Sequence, residues 1–313
     1  MHKFMAFSLG CLLVASPTLS ESKPPVSPMA LAERDRSVTG GRAVLVELPQ
    51  SEIDIQVDVG RVVSDAAYGG GLLGALILMS GDDKRATLTE MDNQKAKAHV
   101  APLRQAIRDF DFDKLAMETT RSALSRLDWF AAQDPKSVKS SSEGEREAFA
   151  NTAGSQQLAT ITYHYSLSPD FTQILVVADI ALWQPVSSRA GETQGTLTAL
   201  CRQRIVAIAE LRTRSYEHSE NVAQWSAGNG TLAKASITAA LARLERLIPF
   251  ALGLTQTGIN ALNGTKSDKL FAAGFYGPPV KTFPSIPGET LIWSQGLIDV
   301  MPAPEVSTNA GAS

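Results

Sequence analysis

His164 is the residue whose type and position best suit proton-transfer chemistry. It lies in Leu158–Trp183, LATITYHYSLSPDFTQILVVADIALW, in a run where apolar and polar residues alternate, so it falls on the polar face of a predicted strand. A histidine there could act as a general acid or base if a carboxylate stood beside it. Asp179 or Glu210 would be that carboxylate, depending on strand register, and the alternative is a solvated strand histidine without a catalytic role.

The remaining histidines and cysteines form no metal or nucleophile pattern in the sequence. His99, His164 and His218 have no carboxylate at zinc-ligand spacing beside them. The run Asp109–Asp113 (DFDFD) lacks the Gly and Glu of a calcium loop, so its carboxylates are predicted to cap the following helix. Cys201 is interpreted as a small buried residue. Without a G-x-S-x-G elbow either, the sequence predicts no catalytic residue, no metal and no cofactor.

Two glycine-containing stretches resemble nucleotide motifs only in part. Gly69–Gly74 (GGGLLG) matches G-x-G-x-x-G, but the apolar run stops at Gly81, before the long helix that a dinucleotide fold requires. The stretch Gly258–Ser267 has neither the adjacent Gly-Lys nor the spacing of a phosphate loop. Nucleotide binding is therefore not predicted.

The glycine-rich apolar segment 68–81, YGGGLLGALILMSG, is the candidate interaction segment. It could be a buried packing segment, or it could contact a membrane or a partner protein. Its 14 residues are too few to span a bilayer as one helix, which takes about 20. The side chains that would make such a contact are Tyr68, Leu72, Leu73, Leu76, Ile77 and Met79.

The first 20 residues have the pattern of a secretory signal peptide. A short basic start precedes the apolar run Phe4–Ala15, and small residues before Glu21 suit cleavage after Ser20. Cys11 lies inside the apolar run and lacks a lipobox leucine, so a lipoprotein is the less favoured alternative. The sequence predicts an exported protein, periplasmic or associated with the outer membrane.

Cleavage would leave a mildly acidic chain with one cysteine. Of the 29 Lys and Arg residues it would remove Lys3, which leaves 28 against 32 Asp and Glu and a formal charge of −4. Without a basic block, this charge argues against nucleic acid as a partner. Cys201 would be the one remaining cysteine, so no intrachain disulfide is predicted.

The elements that must position His164 are predicted to form an α+β domain over residues 42–255. Its sheet is expected to be mostly antiparallel, with the central hairpin 158–183 and a third strand at about 203–216. Helices at about 113–129 and 231–252 carry apolar stripes and are predicted to pack on this sheet. Alternation at Ile53–Val59 predicts one more half-buried strand.

The rest of the chain is predicted to be less regular. Residues 21–41 form a flexible lead-in, and 131–156, rich in Ser, Lys and Glu, a solvated loop with one helical turn at Glu143–Ala150. Residues 256–301 are interpreted as an extended connector with an edge strand at 289–300. Residues 302–313 are predicted to be a disordered tail.

The order of helix, hairpin, strand and capped helix is similar to that of uncharacterised exported proteins of Gram-negative bacteria. It distantly resembles small α+β envelope domains such as the amino-terminal domain of TolB and the periplasmic part of the curli secretion channel. The segments that carry the resemblance are Gly69–Ile77, Ala101–Asp113 and Trp225–Leu252. The resemblance implies a non-enzymatic binding or assembly module with an envelope protein, or a second copy, as partner. Self-association or membrane contact through Tyr68–Met79, and a hydrolase-type enzyme using His164, are the alternatives.

Overall fold

The computed structural model describes residues 28–38, 40–55, 97–185, 197–265, 269–284 and 288–306. The predicted signal peptide and the candidate interaction segment 68–81 lie outside these residues. Of the strand predicted at Ile53–Val59, the structure describes β2 (Asp54–Ile55), and the rest lies outside the described residues. Residues 307–313 of the predicted tail also lie outside them.

The centre of the molecule is an antiparallel meander of three long strands: β4 (Leu158–Leu167), β5 (Gln173–Pro185) and β6 (Leu197–Glu210). The predicted hairpin is therefore confirmed. Asp170 shapes its turn by accepting hydrogen bonds from the Ser168 and Thr172 hydroxyls, at 2.6 and 2.9 Å. The third strand begins and ends about six residues earlier than predicted.

Distant parts of the chain extend this meander into one eight-stranded sheet of order β3-β1-β4-β5-β6-β10-β9, with β2 also paired to β4. The added strands, with β2, are β1 (Ala43–Glu47), β3 (Lys136–Val138), β9 (Thr290–Trp293) and β10 (Leu297–Pro302). Four of the seven described pairings are parallel, so the expectation of a mostly antiparallel sheet is not confirmed. The sheet is mixed.

The carboxy-terminal region differs most from its prediction. Where one edge strand was expected at 289–300, β9 and β10 form a hairpin, and β10 lies inside the sheet, parallel to β6. Before them come α6 (Gln256–Gly264) and a separate small hairpin of β7 (Leu270–Ala272) and β8 (Phe275–Gly277). The described residues between 256 and 302 are thus part of the folded unit.

Helices cover one face of the sheet, as predicted. They are α2 (residues 97–106), α3 (Phe112–Ser125) and α5 (His218–Gly253), which bury apolar side chains such as Ile161, Tyr163 and Ile205. The short α1 (Glu33–Arg36) and the bridge between Met29 and β6 place part of the predicted lead-in against this unit. None of the described helices is both long and apolar enough to cross a membrane.

The opposite face, called here the open face, is covered by the described residues only at its two ends. At one end α4 (Glu143–Thr152) packs Ala150 against Leu45 and Leu158. At the other, Ala272 and Phe275 of the β7–β8 hairpin pack against an apolar patch that includes Val206. Residues 131–156, predicted as a solvated loop, therefore contain β3 and α4, and a capping box between Ser142 and Glu145 begins α4.

Candidate functional site

A row of polar side chains crosses the middle of the open face. Glu47, Thr162, Asp179 and Arg204 are direct cross-strand neighbours on β1, β4, β5 and β6. Because neighbours in register point to the same face of a sheet, the four side chains form a continuous strip, called here the polar strip. It separates the apolar patch under α4 from the one under the β7–β8 hairpin.

The two carboxylates of the polar strip have different surroundings. Glu47 is largely buried and accepts hydrogen bonds from the hydroxyls of Thr162, at 2.8 Å, and Ser141, with Arg146 Nε 3.8 Å from its Oε1. Asp179 forms an ion pair at 3.6 Å between its Oδ1 and Arg204 Nε, and its side chain is 41% exposed, against 13% for Glu47. Asp179 is therefore the carboxylate with room to meet a ligand.

The register decides which carboxylate accompanies His164. His164 pairs with Val177 and Thr162 with Asp179, so Asp179 is the diagonal neighbour of His164 on the same face. Glu210 instead pairs with Gln173 at the far end of the sheet. Of the two partners left open by the sequence, the structure brings Asp179 beside His164 and leaves Glu210 apart.

Burial moves the pKa values of this pair in opposite directions. It lowers the pKa of His164, an effect that the negative charge of Asp179 opposes and the positive charge of Arg204 reinforces. It raises the pKa of Asp179, against the attraction of Arg204 and His164. A neutral imidazole next to a more readily protonated carboxyl group is an arrangement that can exchange a proton with a bound molecule.

A cleft of about 320 Å³ lies over the strip, next to Trp183. The guanidinium carbons of Arg146 and Arg202 stand 5.6 and 5.4 Å from the centroid of the Trp183 ring, within cation–π range. Trp183 Nε1 donates a hydrogen bond to Thr160 Oγ1 at 2.9 Å, which fixes the indole. The cleft thus combines an anchored aromatic ring with three arginines and two carboxylates.

A larger groove of about 1090 Å³ lies at the other end of the open face, beneath the β7–β8 hairpin; it is called here the hairpin groove. Leu175, Val300 and Met301 supply apolar lining. Glu210 adds a polar wall, holding Gln173 Nε2 at 2.9 Å and Arg214 Nη2 at 2.8 Å from its Oε1. The groove is broad, open to solvent and mixed in character.

The β7–β8 hairpin itself exposes large apolar side chains. Leu270, Phe271 and Tyr276 are 43%, 70% and 61% exposed, and Phe271 also lines the hairpin groove. Apolar side chains clustered on a projecting hairpin are typical of a contact surface.

The other residues considered for chemistry are two exposed histidines, His99 and His218, and the buried Cys201. The rings of His99 and His218 lie 6.3 and 5.2 Å from that of Phe171. Cys201 is buried, and burial raises the pKa of its thiol to about 12. The thiol therefore stays protonated and is unreactive as a nucleophile. Within the described ranges, no three His, Cys, Asp or Glu side chains lie close enough together to hold a metal ion.

The sequence does not predict the hairpin groove, because its pattern over residues 256–301 indicates an extended connector. The sequence does carry a signal for its hairpin: Leu270–Gly277 reads LFAAGFYG, two short aromatic runs around Ala273-Gly274. Ala273 adopts φ +53°, and Gly274 adopts φ +88°. Both angles suit the tight turns that join hairpin strands.

Comparison of the chain with protein-family models, with curated proteins and with solved structures finds no match. The resemblance to envelope domains therefore stays a prediction.

Proposed function

We propose that this protein is an exported, non-enzymatic binding module that docks a segment of another envelope protein in the hairpin groove. The observation that carries the proposal is the exposure of Leu270, Phe271 and Tyr276 on the hairpin that overhangs this groove. The part of the proposal that concerns export is based on the signal-peptide pattern of residues 1–20.

The character of the groove favours a polypeptide as its occupant. At about 1090 Å³ and open to solvent, it exceeds the enclosed pockets of 300–1,000 Å³ that typically surround small molecules. Aromatic anchors above an apolar floor with a polar rim are typical of protein interfaces. The Glu210–Arg214 pair would supply that rim.

Site-specific cross-linking in cells tests the proposal. A photoreactive phenylalanine analogue at Phe271 should give one discrete adduct, and the same analogue at the exposed Glu118, on the helical face, should give none. The purified partner should then bind the mature chain at least tenfold more weakly when Phe271→Ser is introduced, as expected for an interface anchor.

Two results would overturn this proposal. One is an equal yield of adduct at positions 271 and 118; the other is unchanged affinity of the Phe271→Ser variant. Export is tested separately, since the mass of the mature protein should correspond to a chain that begins at Glu21.

A second candidate function, an acid–base enzyme using His164, is favoured by the position of Asp179 beside it. An NMR titration should give a His164 pKa below 6.5, because burial disfavours the imidazolium. Asp179→Asn should lower that pKa further, because it removes a negative charge, and Arg204→Gln should raise it.

The phenotype of a deletion strain decides whether this pair acts in catalysis. An enzyme needs both groups, so folded His164→Ala and Asp179→Asn variants should each fail to complement the strain. Full complementation by His164→Ala would remove the enzyme hypothesis and leave the binding module.

A further inference from the structure

A third cavity lies on the helix-covered side of the molecule, at the edge formed by β9. It has a volume of about 350 Å³, and apart from Thr290 the described residues that line it divide into an apolar and a charged group. The apolar group is Leu270, Pro279, Val280, Phe283, Pro284 and Leu291; the charged group is Arg243, Lys281, Glu289 and Asp299. Apolar walls with a few charged groups are typical of sites for small ligands.

The charged group is built around a buried arginine. Arg243 of α5 donates from Nε and Nη2 to the two carboxylate oxygens of Asp299, at 2.6 and 3.0 Å. The side chain of Arg243 is 7% exposed and that of Asp299 is fully buried. This two-point contact fixes the orientation of the guanidinium group.

Two atoms at the same place lack hydrogen-bond partners. Among the described residues, Arg243 Nη1 donates to no acceptor, and Glu289 Oε2 accepts from no donor, although both atoms are buried. Glu289 Oε2 lies 2.7 Å from Arg243 Nη2 but without the alignment of a hydrogen bond. Buried polar groups are nearly always satisfied, so an unused donor next to an unused acceptor requires an explanation.

We infer that this cavity binds a small molecule through a carboxamide group, whose oxygen accepts from Arg243 Nη1 and whose N–H donates to Glu289 Oε2. A carboxamide offers one acceptor and a donor side by side, which matches the two unused atoms. Its apolar part would lie against Phe283, which already packs on Phe250 at 5.1 Å between ring centroids.

The charges around the cavity favour a neutral ligand over an ion. A carboxylate would satisfy Arg243 but would face Glu289 and Asp299. An ammonium group would satisfy Glu289 but would meet the buried guanidinium group of Arg243, whose Nη2 is 2.7 Å from Glu289 Oε2. Arg246 adds a second positive charge nearby, with its guanidinium carbon 5.3 Å from the centroid of the Phe283 ring. Desolvated like charges are strongly unfavourable, so each ion loses more than the amide does.

Three probes of similar size distinguish these possibilities: benzamide, benzoate and benzylamine. Binding to the full mature chain is followed by NMR, using the Arg243 guanidinium N–H signals and the Phe283 ring signals. Benzamide should shift both sets of signals and bind at least tenfold more tightly than either ion.

Glu289→Met, which removes the acceptor at similar size, should weaken benzamide binding at least tenfold. Glu305→Met is the control: it removes a carboxylate whose side chain is 82% exposed, and it should leave benzamide binding unchanged. Two outcomes would overturn the inference: tighter or equal binding of an ion, or no binding of any probe at its solubility limit, which would mean that ordered water alone fills the site.

Discussion

At the scale of single residues, Arg42 donates more hydrogen bonds than any other side chain of the described structure. It is 1% exposed and donates from Nε to Gln157 Oε1 at 2.7 Å. Its other nitrogens donate to four backbone carbonyls, those of Asp35, Arg36, Trp129 and Phe130. Burial lowers the pKa of its guanidinium group, which therefore depends on these five acceptors. Arg42 joins the amino-terminal segment, the end of α3 and β4.

Replacing Arg42 should therefore destabilise the protein strongly. Arg42→Met removes a donor from five buried or half-buried acceptors, of which only the Asp35 carbonyl keeps another described donor, Gln157 Nε2. At about 1 kcal/mol for each of the other four, the free energy of unfolding should fall by at least about 3 kcal/mol. Arg42→Lys, which keeps three donors, should lose less. Urea denaturation measures both values. Arg34→Met, whose side chain is 86% exposed, is the control and should change stability by less than about 0.5 kcal/mol.

The sequence predicted some residue positions and missed others for a physical reason. Alternation placed His164 on the correct, less buried face of β4. It could not choose between Asp179 and Glu210, because the five-residue connection after β4 sets the register, and a shift of one residue would reverse the faces. Arg42 gave no signal, since its acceptors come from segments up to 115 residues away.

At the scale of elements, α5 is the main support of the sheet, and it is interrupted. Ala227 is extended, and Gly228, Asn229 and Gly230 have φ of +58°, +56° and +72° before the helix resumes. At Gly230 a Cβ atom would lie 2.7 Å from Ile107 Cγ2 and 3.2 Å from the Ala106 oxygen. The break thus lets the end of α2 approach α5 closely.

Gly230→Ala should destabilise the protein by about 2–3 kcal/mol. The positive φ accounts for about 1 kcal/mol, and the contact with Ile107 for the rest. Gly253→Ala serves as the matched control in α5: it has no positive φ and no atom within 4 Å, so it should be neutral or slightly stabilising. Thermal unfolding followed by circular dichroism compares the two variants. Equal melting temperatures would mean that the break is not a packing requirement.

Helices and strands were predicted correctly where a hydrophobic pattern repeats many times, and they were missed where the element is short. The hairpin 158–183 and the helices near 113–129 and 231–252 carry many repeats of their patterns, and the structure contains all three. β3 has three residues and β9 four, and such lengths hold too few repeats to be recognised. α4 has ten residues, and its one buried residue, Ala150, is small, so the sequence predicts one helical turn at Glu143–Ala150 but not the whole helix.

At the scale of the whole molecule, the sheet is completed by strands that are distant in sequence. β1 joins β4 across more than a hundred residues, and β10 joins β6 after the entire helix α5. Parallel pairing of this kind requires a long crossover, so its partners share no local sequence signal. This is why the meander was predictable and the mixed sheet was not. It also makes β10 part of the core, since this strand covers β6 and brings Asp299 to Arg243.

Removing residues 256–313 from the mature chain should therefore abolish cooperative unfolding. The edge of β6 would lose its partner strand, the apolar side chains that β10 covers would be exposed to water, and Arg243 would lose its two-point contact with Asp299. We expect aggregation or a broad, non-cooperative melt, measured by size-exclusion chromatography and circular dichroism. Removing only residues 307–313 is the control and should leave the melting temperature within about 1–2 °C of that of the full mature chain, a change of under about 0.5 kcal/mol. A sharp melt of the 21–255 fragment would instead show that the meander and its helices fold without β9 and β10.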